Sequence, residues 1–256
     1  MPLSKLASYV ARLYLLVLLA VGVWPQQRST NGIPIGDTPE QVLKSRHIAI
    51  RKPSLVAALL SDDAEVRKLA AGVLANRWPK DAAPAIEEAM LREADDWIRI
   101  WMAFDLAKLG DKAGREMLGT ECHNTGEWGS TRMLAARKMS ELHDDSCVDS
   151  VLDVLGSDSD PQDTNAKESA LDLVPSFIKH FTGQEYRKVL DLAEKALDDP
   201  AGGVRIAASI MLGRLGDVSA VPGLQAALAR EQDETVQGVV SRDVKRLEEL
   251  HQGAKQ

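Results

Sequence analysis

The residues best equipped for metal or redox chemistry cluster near the middle of the chain: Glu121, Cys122 and His123 in succession, then His143 and Cys147. Two thiols can close a disulfide, and thiolates with imidazole can hold zinc, but either requires the groups to meet in space. Asp158-Ser159-Asp160-Pro161-Gln162-Asp163 has the carboxylates of a calcium loop. It lacks the glycine at position six and the glutamate at position twelve, where Ser169 stands. Asp160 capping a helix with Pro161 in its first turn is the better account. Asp95-Asp96, Asp144-Asp145 and Asp198-Asp199 are pairs that could serve acid–base chemistry, yet each falls at a turn, where capping is the ordinary role of aspartate. No His-Glu-x-x-His, Gly-x-Ser-x-Gly or phosphate-binding glycine loop occurs. No catalytic, cofactor or metal site is therefore assigned.

The elements that must carry these residues announce themselves by repetition. Val66-Arg67, Ile98-Arg99, Thr131-Arg132, Ala166-Lys167, Val204-Arg205 and Val236-Gln237 recur at steps of 32, 33, 35, 38 and 32 residues. An acidic, turn-like cluster precedes each one, and small and aliphatic residues at helical spacing follow. Self-similarity at this period means stacked helix pairs. Aromatic residues are only 4% of the chain against 45% hydrophobic, which suits packed helices, and no alternating run argues for strands. Second helices (B) are predicted near 64–77, 96–109, 129–142, 161–178, 201–215 and 234–250. First helices (A) are predicted near 53–60, 82–92, 112–120, 148–155, 184–197 and 219–229.

The unit is clearest in Asp198-Asp199-Pro200-Ala201-Gly202-Gly203-Val204-Arg205, Leu212-Gly213-Arg214-Leu215-Gly216-Asp217 and Ala220-Val221-Pro222-Gly223-Leu224. Asp199 reads as an N-cap with Pro200 behind it, Gly216 as a C-cap, and Pro222 as a residue of the first turn. This stretch resembles the HEAT repeat, in the short bacterial form also found in phycobilisome bilin lyases. The resemblance runs over about residues 53–250, is weakest in the third and fourth copies, and implies an all-α, right-handed, armadillo-like solenoid of about six helix pairs. It also implies that Arg67, Arg99, Arg132 and Arg205 form a ladder of hydrogen bonds tying repeat to repeat. A row of basic ligand-binding residues is the alternative. HEAT-like di-iron hydroxylases carry His-Glu pairs, and none of the five histidines here precedes Glu.

In an ideal stack successive A helices run parallel. Cys122, just past one A helix, and Cys147, at the start of the next, would then lie at opposite edges, about 15 Å apart for a ten-residue helix. Two free thiols are expected, with His143 and Cys147 too far from His123 to complete a metal site.

One copy departs from the pattern. Trp97, Trp101 and Phe104 share a helix face where other copies have Ser130, Leu134 and Arg137, or Asn165, Ser169 and Asp172. Because Ile98, Met102, Leu106 and Leu109 already supply a core face, the aromatic stripe is expected on the concave, B-helix surface as a protein-binding patch that Trp128 extends. Filling of the core is the competing account.

Lys5 and Arg12 precede an apolar run of 11 residues, Leu13 to Val23, the layout of a signal peptide in residues 1–24. Extension back to Leu6 would make residues 6–24 an uncleaved anchor, the one expected membrane contact. Residues 25–37 read as linker, and Thr38-Pro39-Glu40-Gln41 as a capping box opening a helix that covers the first repeat, so the solenoid is set at 38–252. The net charge of −7 falls to −9 without Lys5 and Arg12, which leaves no electrostatic footprint for nucleic acid. The expected function is that of a monomeric, non-enzymatic scaffold or adaptor, exported (periplasmic or secreted) or tethered, that binds another protein. The alternative is an accessory subunit of a lyase-like or other enzyme complex.

Overall fold

A computed structural model describes residues 37–160 and 163–253. Thirteen α-helices and no strand lie among them: α1 (Pro39–Ser45), α2 (Lys52–Ala58), α3 (Ala64–Arg77), α4 (Ala83–Arg92), α5 (Asp96–Lys108), α6 (Lys112–His123), α7 (Gly129–Glu141), α8 (Val148–Gly156), α9 (Thr164–Phe177), α10 (Gly183–Ala196), α11 (Gly202–Leu215), α12 (Val221–Arg230) and α13 (Glu234–Gly253). From α2 onward they form six pairs. The second members, α3, α5, α7, α9, α11 and α13, pack each on the next, and α1 packs on α3. This is an all-α solenoid. The expected export segment 1–24, and the linker up to residue 36, lie outside the described residues. No described helix is long and apolar enough to cross a membrane.

Local chemistry starts and stops the helices where the repeat needs them. Asp63 accepts the amides of Glu65 and Val66 at 3.0 and 3.3 Å, Asp95 those of Trp97 and Ile98 at 3.0 and 3.2 Å, and Asp233 those of Thr235 and Val236 at 2.8 and 3.3 Å. Each carboxylate satisfies donors that have no partner inside the helix. Thr38 and Thr182 form capping boxes with Gln41 and Glu185. Gly216 ends α11 at φ +70°, a conformation that costs a residue with Cβ more.

Two expected caps shift. Helix α11 starts at Gly202 with Ala201 as its N-cap, so Asp199 holds the preceding turn by accepting the amide of Ala201 at 3.0 Å. Helix α9 starts at Thr164 after Asp163, not at Pro161, which lies outside the described residues. The Asp163 carboxylate instead accepts the amide of Ser130 at 2.8 Å, at the start of the neighbouring α7.

A continuous apolar core runs through the stack from Val42 and Leu43 to Val244 and Leu247. Small residues bring its helices close. A Cβ on Gly114 would stand 2.6 Å from Leu106 Cβ and 2.7 Å from Ala107 N, so α6 lies against α5 at a separation that only glycine permits.

The third and fourth copies break the parallel register, and they overturn the expectation of free thiols. Cys122 and Cys147 form a disulfide with Cα atoms 6.0 Å apart. Asp144, in the connection after α7, is held by Arg115 of α6 at 2.7 Å, and Cys147, the N-cap of α8, is bonded to Cys122 in the last turn of α6. Helix α8 therefore begins where α6 ends. The ideal stack, which puts these two helix ends at opposite edges, does not hold for this pair.

Candidate partner-binding surface

The basic residue early in each B helix is engaged at the A-to-B turns. Arg67 Nε and Nη2 donate to Glu93 Oε2 and Oε1 at 2.6 and 2.7 Å, while Nη1 donates to the Ser61 carbonyl at 2.8 Å. Arg205 repeats the arrangement with Glu231, at 2.6 and 3.1 Å, and with the Asp199 carbonyl at 2.8 Å. In both, the residue reads its own turn through a carbonyl and the next copy's turn through a carboxylate, and the fork geometry matches the carboxylate. Glu93 and Glu231 in turn accept the amides of the caps Asp95 and Asp233.

Burial opposes ionisation of Glu93, but the hydrogen bonds from Arg67 and from the Asp95 amide outweigh it and hold the carboxyl below its ordinary range. The hydrogen bond from Arg205, reinforced by the turn amides, brings Glu231 down to about 2.

The middle rungs are less regular. Both Nε and Nη2 of Arg99 converge on a single oxygen of Glu121, at 3.0 and 2.9 Å, and Glu121 Oε2 is buried without a partner. Arg132 donates to the Cys122 carbonyl at 3.3 Å and to Asp153 at 2.9 Å. Lys167 reaches Asp199 at 3.3 Å. Gln237, where the arginine is missing, still donates to the Glu231 carbonyl at 2.6 Å.

On the B-helix face, the aromatic stripe of α5 divides by depth. Trp97 is 49% exposed, Trp101 is half-buried and Phe104 is 9% exposed. Phe104 is thus removed from the expected contact patch: its position turns it inward, edge-on to Trp101 with centroids 6.4 Å apart. Above the pair sits Lys138 of α7, buried, with Nζ 3.9 Å from the Trp101 centroid and 4.7 Å from that of Phe104. Its ion partner is Glu141 at 2.8 Å. Asp105 is buried beside them, and desolvation raises its pKa despite the ion pair with Lys108.

Trp97 opens onto a groove of about 420 Å³ across α5, α7 and α9, lined also by Ser130, Leu134, Arg137, Asn165 and Ser169. These are the residues at equivalent positions in the third and fourth copies, so the repeat register places them correctly on one surface. Asp172, at the groove's end, accepts from Arg137 at 3.0 Å and from Arg214 at 2.8 Å. Burial opposes its charge, but these two bonds prevail and its pKa is lowered. The groove thus pairs an exposed indole with a fixed polar floor.

Trp128, 51% exposed, lies elsewhere. It precedes α7 at the turn edge and lines a separate recess of about 460 Å³ with Asp153, Asp158, Arg132 and Lys167. What the spacing could not reveal was the lysine above Trp101, because Lys138 belongs to another copy, and the carboxylate partners of the ladder, which lie 26 residues from their arginines.

Residues 177–242, spanning α10, α11, α12 and the first half of α13, match the family profile of HEAT repeats. Over these residues the chain is similar to HEAT repeats, and the helix pairs of the all-α solenoid are consistent with that likeness. No curated protein matches it. In HEAT-like terms the ladder joins consecutive repeats along the turn edge, and the groove at Trp97 crosses three B helices. HEAT repeats generally mediate contact between proteins, through surfaces that stacked helices expose.

Proposed function

We propose that this HEAT-like protein is a non-enzymatic scaffold that captures a protein partner on its B-helix face, with Trp97 as the anchor of the contact. The observation that carries this reading is the exposed indole of Trp97 at the mouth of a groove crossing three helices. Tryptophan is enriched among the residues that dominate binding energy at protein interfaces. The ladder arginines have a structural role in this reading, since their donors are committed to turns and carboxylates. Kinship with the short bacterial repeats rests on the resemblance in residues 198–224.

The reading includes export, with residues 1–24 as signal peptide or residues 6–24 as anchor. The disulfide supports it, because such bonds persist in oxidising compartments. A photo-crosslinking residue in place of Asn165, exposed in the same groove as Trp97, is expected to yield a discrete covalent adduct in the source cells. The same residue at Glu88, exposed on α4, is expected to yield none. Equal labelling at both positions, or at neither, would defeat the proposal.

A further inference from the structure

The disulfide has a third neighbour that its own stability does not require. His123 is exposed, yet its ring is folded back so that Nδ1 lies 3.2 Å from Cys122 Sγ and 2.8 Å from the Gly119 carbonyl. One ligand atom from each of Cys122, His123 and Cys147 falls within 4.8 Å of the other two. Around a four-coordinate zinc, with bonds of about 2.0–2.3 Å, ligand atoms stand about 3.5–3.8 Å apart. Both cysteines are fully buried, and the histidine beside them is exposed. The donors come from two elements, the last turn of α6 and the N-cap of α8, so a bound ion would do the mechanical work of the disulfide.

We propose that Cys122, Cys147 and His123, once the disulfide is opened, form a binding site for a zinc-class divalent cation. A dithiol reductant transfers two electrons and two protons to the disulfide, leaving two thiols and an oxidised reductant. The cation then displaces both thiol protons to solvent and is held by two thiolates and a neutral imidazole. If Nδ1 is the ligating atom, its proton moves to Nε2 and the bond to Gly119 is released. A water completes the tetrahedron, and the two thiolates balance the charge of the ion. Thiolate and imidazole are the donors that favour zinc over the oxygen-seeking calcium and magnesium.

The test uses the full chain, oxidised or reduced under argon and freed of reductant, titrated with Co²⁺ as a spectroscopic probe and then with Zn²⁺. The reduced chain is expected to bind one equivalent of Co²⁺, with a sulfur-to-cobalt band in the near ultraviolet that Zn²⁺ abolishes. The oxidised chain is expected to show no band. His123→Gln, a change at an exposed position, is expected to weaken binding at least ten-fold while helical circular dichroism is unchanged. A reduced, helical chain without the band, equal affinity in His123→Gln, or a reduced chain that stays unfolded with metal present would each overturn the proposal.

Discussion

Lys138 Nζ stands 3.9 Å above the ring of Trp101, so a cation from one repeat seals an indole of the repeat before it. Its own exposure is 5%. A buried ammonium needs compensation, and here two aromatic faces and Glu141 provide it. Replacing Lys138 with Ala is expected to lower stability by about 1–2 kcal/mol, measured by urea unfolding, and to raise the solvent accessibility of Trp101 in fluorescence quenching.

The split of the aromatic stripe makes two of its members separable. Phe104→Ala removes a buried ring and is expected to cost about 3 kcal/mol. Trp97→Ala is expected to change stability by less than about 1 kcal/mol, as a surface substitution does, while abolishing the adduct formed from this face. Equal destabilisation by the two would return Trp97 to the core.

Arg67 and Glu93 form a two-point pair with 18% and 3% of their side chains exposed. Arg67→Met leaves a buried carboxylate without its partner and is expected to cost about 3 kcal/mol. The double substitution with Glu93→Leu should recover much of that loss. A double-mutant cycle by chemical denaturation reads the coupling.

Acid should weaken the ladder. Glu231 titrates at about 2 in the folded chain against an ordinary 4.5, so between these values the unfolded chain holds the proton and the folded chain does not. The stability this rung supplies is complete above about pH 4.5 and is lost as pH falls toward 2. Glu93 and Asp199, also lowered, act in the same direction, whereas Asp105, raised, acts in the opposite one. Unfolding midpoints measured from pH 5 to pH 2.5 should fall, and Glu231→Gln should make the fall shallower.

The disulfide closes a loop of 25 residues across the two least regular copies. Its removal by Cys147→Ser is expected to cost about 3.5 kcal/mol on the chain-entropy account. Peptide mapping without reduction should recover Cys122 and Cys147 in one crosslinked fragment, and native protein should resist thiol alkylation.

The helix boundaries were legible because they depend on neighbours in sequence. Asp95 caps α5 through amides two and three residues on, and Gly216 ends α11 through its own φ. Repetition extended that local information to the groove, since equal positions in successive copies must share a face. Trp97, Ser130 and Asn165 therefore meet where the register puts them. Tertiary structure alone decided what depends on departures from the repeat. Cys122 and Cys147 pair because the start of α8 lies beside the end of α6, and a period averaged over six copies carries no record of where a single helix begins. Phe104 is buried and Trp97 exposed although both lie on one helix face, because depth is set by Lys138 and the neighbouring helices. Sequence by itself determined the succession of helices and their register; the packing of unlike copies decided which residues remain at the surface.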